Sequence, residues 1–315
     1  MKMTNRVTLF LASFLALVGL VAAPASAQEE GSLEYMAKKA NNPLSDVWLM
    51  ILQNDFTRLD GDLLPGSKNF NSLKFQPVMP IPVFDGDYNL ILRPVIQPVV
   101  SVPLDKDVGD LIGVSPNVIA DSDRLKDISE DPFGRTTGLG DTVLLTLLGP
   151  NRDDGWVWGF GPTWLFPTAS EDVLGAEKWG VGPAALVVRL GKEYGGLGIE
   201  NWNIGALPQH WWTFAGDDDR SDVNMTDIQY FINWKMNKTQ MIGMTPNIRI
   251  DWTKDGFEDA VQLPIGLGTI GMMKIGKIPC RWGIEAQYYV AQPDDLSADW
   301  NFKVFFAPIM LNPFK

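Results

Sequence analysis

The chain has 315 residues, 45% of them apolar and 20% charged, with a formal net charge of −12 at pH 7. This composition excludes a disordered chain, and the acidic balance argues against a surface for nucleic acid or another polyanion. Cys280 is the only cysteine, so no internal disulfide holds the chain.

Residues 1–27 read as a secretory leader. MKMTNR is basic, VTLFLASFLALVGLVAA is apolar, and Ala25, Ser26 and Ala27 form a small-residue cleavage site before Gln28. An N-terminal anchor is the weaker reading, because no basic stop-transfer cluster follows. Without Lys2 and Arg6 the exported chain keeps 24 basic and 38 acidic residues. No later stretch reaches the roughly 18 apolar residues of a membrane helix. The expected division is a periplasmic N-terminal segment over 28–43 and a β-barrel over 44–315.

Six clear strands alternate with a period of two. In 88–102, Leu90, Leu92, Pro94, Ile96, Pro98, Val100 and Val102 form one edge, with Asn89, Arg93, Gln97 and Ser101 on the other. WVWGFGPTWLFP sets Trp156, Trp158, Phe160, Pro162, Trp164 and Phe166 on one face. The segments 224–236, 240–252 and 280–290 repeat the pattern, and 300–306 follows it with Trp300, Phe302, Val304 and Phe306. Weaker strands are expected at 44–58, 72–83, 138–149, 178–190, 196–207 and 260–272. The faces of 138–149 and 178–190 are not assignable from the sequence. Together these make twelve segments, most of them long enough to cross a bilayer when tilted.

The links alternate in length. Those at 59–71, 103–137, 168–177, 208–222, 253–259 and 291–298 are long, and those between them are short, which is the asymmetry of a bacterial outer-membrane barrel with both termini inside. The six long links hold 22 acidic and seven basic residues, so the negative charge gathers at one end. Pro77, Pro94, Pro98, Pro162, Pro246 and Pro264 count against continuous ladders, unless they sit at bulges or rims.

The stretches NPLSDVWLMILQND, LKFQPVMPIPVFDGDYNLILRPVIQPVV, GPTWLFPTAS, GAEKWGVGPAALVV, IQYFINW, TPNIRIDW, EAQYYV and ADWNFKVFFAPIMLNPFK resemble the MetA-pathway of phenol degradation family of outer-membrane proteins, over nearly the whole exported chain. The resemblance implies an outer-membrane barrel and, more loosely, uptake of aromatic or other hydrophobic compounds. The chain departs from the family pattern at Tyr230, where a QPF-like triplet is common, and in its ending LNPFK.

GLGTIG at 266–271 matches a nucleotide-binding pattern on paper, but no helix follows it; glycines facing a crowded lumen fit better. His210, the only histidine, lies in PQHWWTF and reads as part of an interfacial aromatic belt at a strand end, not as a catalytic base. No enzymatic activity and no cofactor are expected. Asp217, Asp218, Asp219 and Asp222 are weak candidates for a divalent cation, set against a solvated acidic loop lacking the glycine and glutamate of a calcium loop.

The lumen-lining set is Arg93, Gln97, Asp227, Gln229, Asn233, Lys235, Asn247, Arg249, Asp251, Arg281, Glu285, Gln287, Tyr289, Asn301 and Lys303. About twelve strands lie between the filled eight-stranded barrel and the open porin, so a narrow pore and a filled barrel both remain open. The leading expectation is a passive channel for small hydrophobic or aromatic molecules; the alternative is a structural or surface-interaction barrel with a closed lumen. A secreted soluble β-protein is a third reading, which would lack a lipid-facing aromatic band. The expected partners are outer-membrane lipid, lipopolysaccharide and a small hydrophobic solute, without nucleic acid.

Overall fold

The alternating segments become one antiparallel wall. A computed structural model describes residues 32–62, 64–108, 114–115, 118–119, 132–152, 155–294 and 296–314. The expected leader over residues 1–27 lies outside the described residues. A helix α1 (Leu33–Asn41) precedes the wall strands β1 (Val47–Asp60), β2 (Lys68–Val83) and β3 (Tyr88–Val102). Beyond a two-residue hairpin, β4 (Val114–Ser115) with β5 (Val118–Ile119), come β6 (Thr136–Gly138), β7 (Thr142–Pro150), β8 (Gly155–Phe166), β9 (Lys178–Leu190), β10 (Trp202–Gly216) and β11 (Asn224–Lys235). The wall ends with β12 (Gln240–Met244), β13 (Asn247–Asp251), β14 (Val261–Ile275), β15 (Ile278–Ala291) and β16 (Ser297–Leu311).

Each strand pairs with its sequence neighbours, and β1 pairs with β16 from Val47 opposite Leu311 to Asp60 opposite Ser297, which closes the wall and removes its edges. β6 and β7 lie on one register line against β3, and β12 and β13 on one line against β11, so the wall has twelve strands, two of them interrupted. The fold is a closed twelve-stranded antiparallel β-barrel of the outer-membrane type.

Side chains divide by face as the pleat demands. On β8, Val157, Thr163 and Leu165 are buried inside, while Trp156, Trp158, Phe160 and Trp164 stand outside. Trp212, Phe214, Trp300 and Phe302 on other strands, and Trp252 just past β13, continue this outward aromatic surface. On β7 and β9 the inward residues are Val143, Leu145, Leu147, Ala184, Leu186 and Val188. Both faces of these strands are apolar, which is why their sequences show no contrast.

Several expectations need correction. The strand expected at 196–207 runs instead over Trp202–Gly216, because Gly195 takes a positive φ of 73° and the preceding residues are spent in a turn. His210 therefore sits within a strand. The link 191–201 is longer than the link 217–223, so the strict long-short alternation fails there. In β3 a register shift opposite Leu73 and Phe75 turns Val100 and Val102 inward, both fully buried, and sends Ser101 out to the hydroxyl of Thr137 at 2.9 Å. The prolines are tolerated in different ways. Pro246 falls in the break between β12 and β13, Pro264 at a register shift, and Pro98 next to another, whereas Pro162 and Pro183 face each other in an unbroken ladder.

Both ends carry covers. At the end of the long loops, Val173 and Leu174 from the 167–177 link are buried against Val100, Val102, Leu104 and Tyr289. At the end of the short turns, α1 buries Met36 and Ala40 against Leu44, Val47 and Leu49. Ser32 caps α1 by accepting the Tyr35 amide at 3.1 Å, a buried ion pair joins Lys39 to Asp46 at 2.9 Å, and the Arg281 guanidinium donates to the Ala40 carbonyl.

A cation on the outer face at mid-wall tests the face assignment. Phe160→Arg is expected to destabilise the barrel by about 2–4 kcal/mol in lipid vesicles, against near zero for Leu197→Arg on a turn. Urea unfolding followed by tryptophan fluorescence reads the difference; equal effects would refute the assignment.

Candidate lumen site

Between the two covers the interior falls into two levels. A polar girdle crosses the barrel at mid-height, built from strands on opposite sides of the wall. On one side Lys74 pairs with Asp55 at 2.8 Å, and Gln53 and Asn301 donate to the same carboxylate at 2.7 and 3.1 Å. Asn301 also donates to Gln287 at 3.0 Å, and Gln287 to Glu285 at 2.8 Å. On the other side Asp227 accepts from Asn247 at 2.6 Å and pairs with Arg249 at 3.3 Å. Arg93 donates to Gln76 at 2.6 Å, and Gln76 to Gln53 at 3.3 Å, which extends the Asp55 group along the wall to β3. Glu285 and Lys303 form a third pair at 3.4 Å. Buried charges are tolerable only when partnered in this way.

Below the girdle, toward α1, lies an apolar chamber with a cavity of about 170 Å³. Leu49, Ile91, Leu147, Leu186, Phe231 and Ile270 line it, with Arg93 and Arg281 at its border. Gly283 makes room for one wall residue: a Cβ there would meet the Phe305 ring at 2.3 Å. Above the girdle a smaller cavity of about 50 Å³ sits beneath the apolar cover, bordered by Asp55, Arg249 and Tyr289.

The residues picked from the sequence separate by level. Arg93, Asp227, Gln229, Asn247, Arg249, Gln287, Tyr289, Asn301 and Lys303 border the girdle cavities or the chamber, and Glu285 belongs to the girdle through Gln287 and Lys303. Gln97 lies nearer the loop end, where it accepts from Ser72 at 3.0 Å and donates to the Asp141 carbonyl at 2.9 Å. Asp251 serves the rim turn, accepting from the Thr253 amide at 3.0 Å. Asn233 and Arg281 face the chamber, and Lys235 reaches the Gly191 carbonyl at 2.6 Å at the turn end. The sequence reading missed Gln53, Asp55, Lys74 and Gln76. Their signal was present as polar alternation in LQNDFT and SLKFQP, within segments whose prolines and short polar runs blurred it.

His210 faces outward, its ring 4.2 Å from that of Trp212 and its Nδ1 2.7 Å from the Thr226 hydroxyl, which also accepts from Trp252 Nε1 at 2.8 Å. Its neighbour Trp211 points the other way, buried inside and donating to Thr163 at 3.1 Å, so only one of the paired tryptophans joins the outer surface. Among the described residues no group of three His, Cys, Asp or Glu is placed to hold a metal ion. In the acidic loop Asp222 pairs with Lys178 at 3.3 Å, and Asp217 accepts the Asp219 amide at 2.8 Å. Gly266 and Gly268 of GLGTIG lie on β14, where a Cβ would collide with Glu285 Oε1 at 2.6 Å and the Ile284 carbonyl at 2.3 Å.

Asp141 anchors the loop-end cover. Its carboxylate accepts the amides of Thr168, Ala169 and Ala176 at 3.0, 3.2 and 2.7 Å. Burial pushes this carboxyl up to about 6 in spite of those donors and Arg220. Because the folded value lies above the unfolded one, the contribution of Asp141 to stability is greatest below about 3.8 and is lost as pH rises through about 6.

A closed wall with an aromatic exterior and an enclosed, hydrogen-bonded interior defines the class as outer-membrane β-barrels. The chain is similar in fold to the COG4313 outer membrane channel from Pseudomonas putida F1, with a TM-score of 0.59 and 12% identity over 84% of this chain and 96% of that one. The NanC porin aligns with a TM-score of 0.44 and 9% identity, over 82% of this chain and 98% of that one. The P. putida toluene transporter TodX aligns with a TM-score of 0.31 and 8% identity, over 89% and 92%. The first likeness shows the shared fold; the other two are too distant to carry an argument. No family model matches the chain, and no curated protein matches it.

Breaking one ion pair tests the girdle. Asp55→Leu leaves Lys74 buried without its acid and is expected to cost about 3–5 kcal/mol, most of it recovered in Asp55→Leu with Lys74→Met. Denaturant unfolding of the two variants checks this, and no recovery in the double variant would contradict the pairing.

Proposed function

We propose that the protein is a passive outer-membrane channel for small apolar, chiefly aromatic, solutes, and that the chamber beneath the girdle is where the solute rests. The chamber carries the reading. An apolar cavity of about 150 Å³ is enough to take up benzene, and this one, at about 170 Å³, is lined mainly by aliphatic side chains with Phe231 and Phe305, and by polar groups such as Asn203 and Asn233. Arg93 and Arg281 at its border favour an aromatic over an aliphatic guest, since a guanidinium is attracted to a ring face. The sequence stretches resembling the MetA-pathway of phenol degradation family support the same solute class. In this reading lipid and lipopolysaccharide surround the wall, the long acidic loops face outward, and α1 covers the periplasmic mouth.

A second reading, a structural barrel with a closed lumen, is favoured by one observation: both ends carry covers of buried apolar side chains. The two separate on binding. Fluorobenzene added to the protein in lipid nanodiscs is expected to give a distinct bound resonance by fluorine NMR. Leu186→Trp, which fills the chamber, is expected to weaken binding at least about tenfold, the scale of losing a good part of the buried contact area. Absence of a bound signal from the folded native barrel would overturn the channel reading in favour of the structural one.

A further inference from the structure

The chamber beneath the girdle carries an unbalanced charge. Each carboxylate of the girdle has its own cation: Asp55 pairs with Lys74, Asp227 with Arg249 and Glu285 with Lys303. At the turn end the two acids of residues 32–46, Glu34 and Asp46, pair with Lys238 and Lys39. Arg93 and Arg281 remain. Among the described residues neither forms an ion pair: Arg93 donates to the Gln76 side chain at 2.6 Å, and Arg281 donates to the Ala40 carbonyl. The Nε atoms of both are buried without a hydrogen-bond acceptor. In a chain of net charge −12, the chamber is bordered by Arg93, Arg281 and Lys303 and, among the described residues, by no aspartate or glutamate.

The two cations arise at one height of the wall. Arg281 on β15 lies opposite Ala307 on β16, and Ile51 on β1 lies opposite Gln76 on β2. Ala307 and Ile51 meet between the pairs Leu49 with Ile309 and Leu52 with Phe306, so one row runs from Arg281 to Gln76, where the Arg93 guanidinium joins it. A buried charge without a counter-ion is among the costliest arrangements in a protein interior. Neither structural contact requires it, since a glutamine could donate to the Ala40 carbonyl or to Gln76 while staying neutral. The carbonyls at the end of α1 offset Arg281 by at most about half a charge. The acidic loops lie at the other end of the barrel, and at physiological salt the field of exposed charges fades within about 8 Å.

We infer that the chamber takes small aromatic carboxylates, with the ring among Leu147, Leu186 and Phe231 and the carboxylate at the border formed by Arg93 and Arg281. The inference rests on the chamber being a solute site, as proposed above, and narrows its solute from a neutral ring to an anionic one. A guanidinium presents paired N–H donors that match a carboxylate, and such charge-assisted bonds are stronger than neutral ones. The apolar walls argue for an organic acid over an inorganic anion, because only a ring gains from burial against Leu147 and Leu186. At about 170 Å³ the cavity slightly exceeds the roughly 150 Å³ that takes up benzene, which leaves room for one ring and a small substituent.

Fluorine NMR tests it on the protein in phosphatidylcholine nanodiscs, with empty nanodiscs as background. The probes are 4-fluorobenzoate at pH 7, where the acid is ionised, and uncharged fluorobenzene. The benzoate is expected to bind at least about tenfold more tightly, the scale of one hydrogen bond to a charged group. Arg93→Gln and Arg281→Gln each keep a neutral donor, and each is expected to lose at least about tenfold more affinity for the benzoate than for fluorobenzene. Equal affinity of the native barrel for the two probes overturns the carboxylate and leaves the chamber as a site for neutral rings; this comparison depends on no variant. Equal losses for both probes in the folded variants overturn it as well. Displacement of 4-fluorobenzoate by acetate as readily as by benzoate overturns the place given to the ring. Binding of neither probe overturns the chamber reading itself.

Discussion

Lipid cannot hydrogen-bond to a peptide, and the rest of the structure follows from how this chain answers that constraint. Closure of β1 on β16 removes the edges, and the ladders satisfy most of the wall. Where the ladder fails, between residues 244–248 and 263–267, the chain supplies a tyrosine hydroxyl, a carboxylate and an ammonium in its place. Thr245, which the carboxylate and the ammonium serve, also borders the apolar chamber, so the irregularity reads as a built feature of the barrel.

The interior solves a different problem. A twelve-stranded barrel is too wide for its lumen to be filled by simple aliphatic packing and too narrow for a wide aqueous pore. The chain divides the space by height. Three ion pairs, Asp55 with Lys74, Asp227 with Arg249, and Glu285 with Lys303, hold the middle, each joining two neighbouring strands of the wall. Apolar side chains of β7 and β9 then line the space beneath them, where Leu147 and Leu186 meet no charge of their own level except at the border. Polar groups set the shape, and apolar groups set what the shape would hold.

Much of this was legible in the sequence. The outward aromatics of β8 and the inward polar set of β11, β13, β15 and β16 followed from period two alone, because one face meets lipid and the other meets partnered charges. β7 and β9 were unreadable for a physical reason: their inward faces are apolar because they line the chamber, so the contrast that marks a half-polar strand is missing. The chamber was thus invisible exactly where it is built. β10 was displaced because GGLG was spent in a turn and its strand continued through His210 to Gly216. Val100 and Val102 were assigned to the wrong face by a bulge, which shifts parity without leaving a mark in the pattern. Asp55 and Lys74 show alternation in hindsight, but nothing in one sequence pairs residues on neighbouring strands.

The central claim is that the chamber under the girdle holds the solute. Crystals of the protein soaked with iodobenzene test it most directly, since iodine scatters anomalously and marks its own position. The account predicts an anomalous peak inside the barrel between Leu147, Leu186 and Phe231. Peaks confined to the lipid-facing surface of the wall, with the chamber empty, would contradict it.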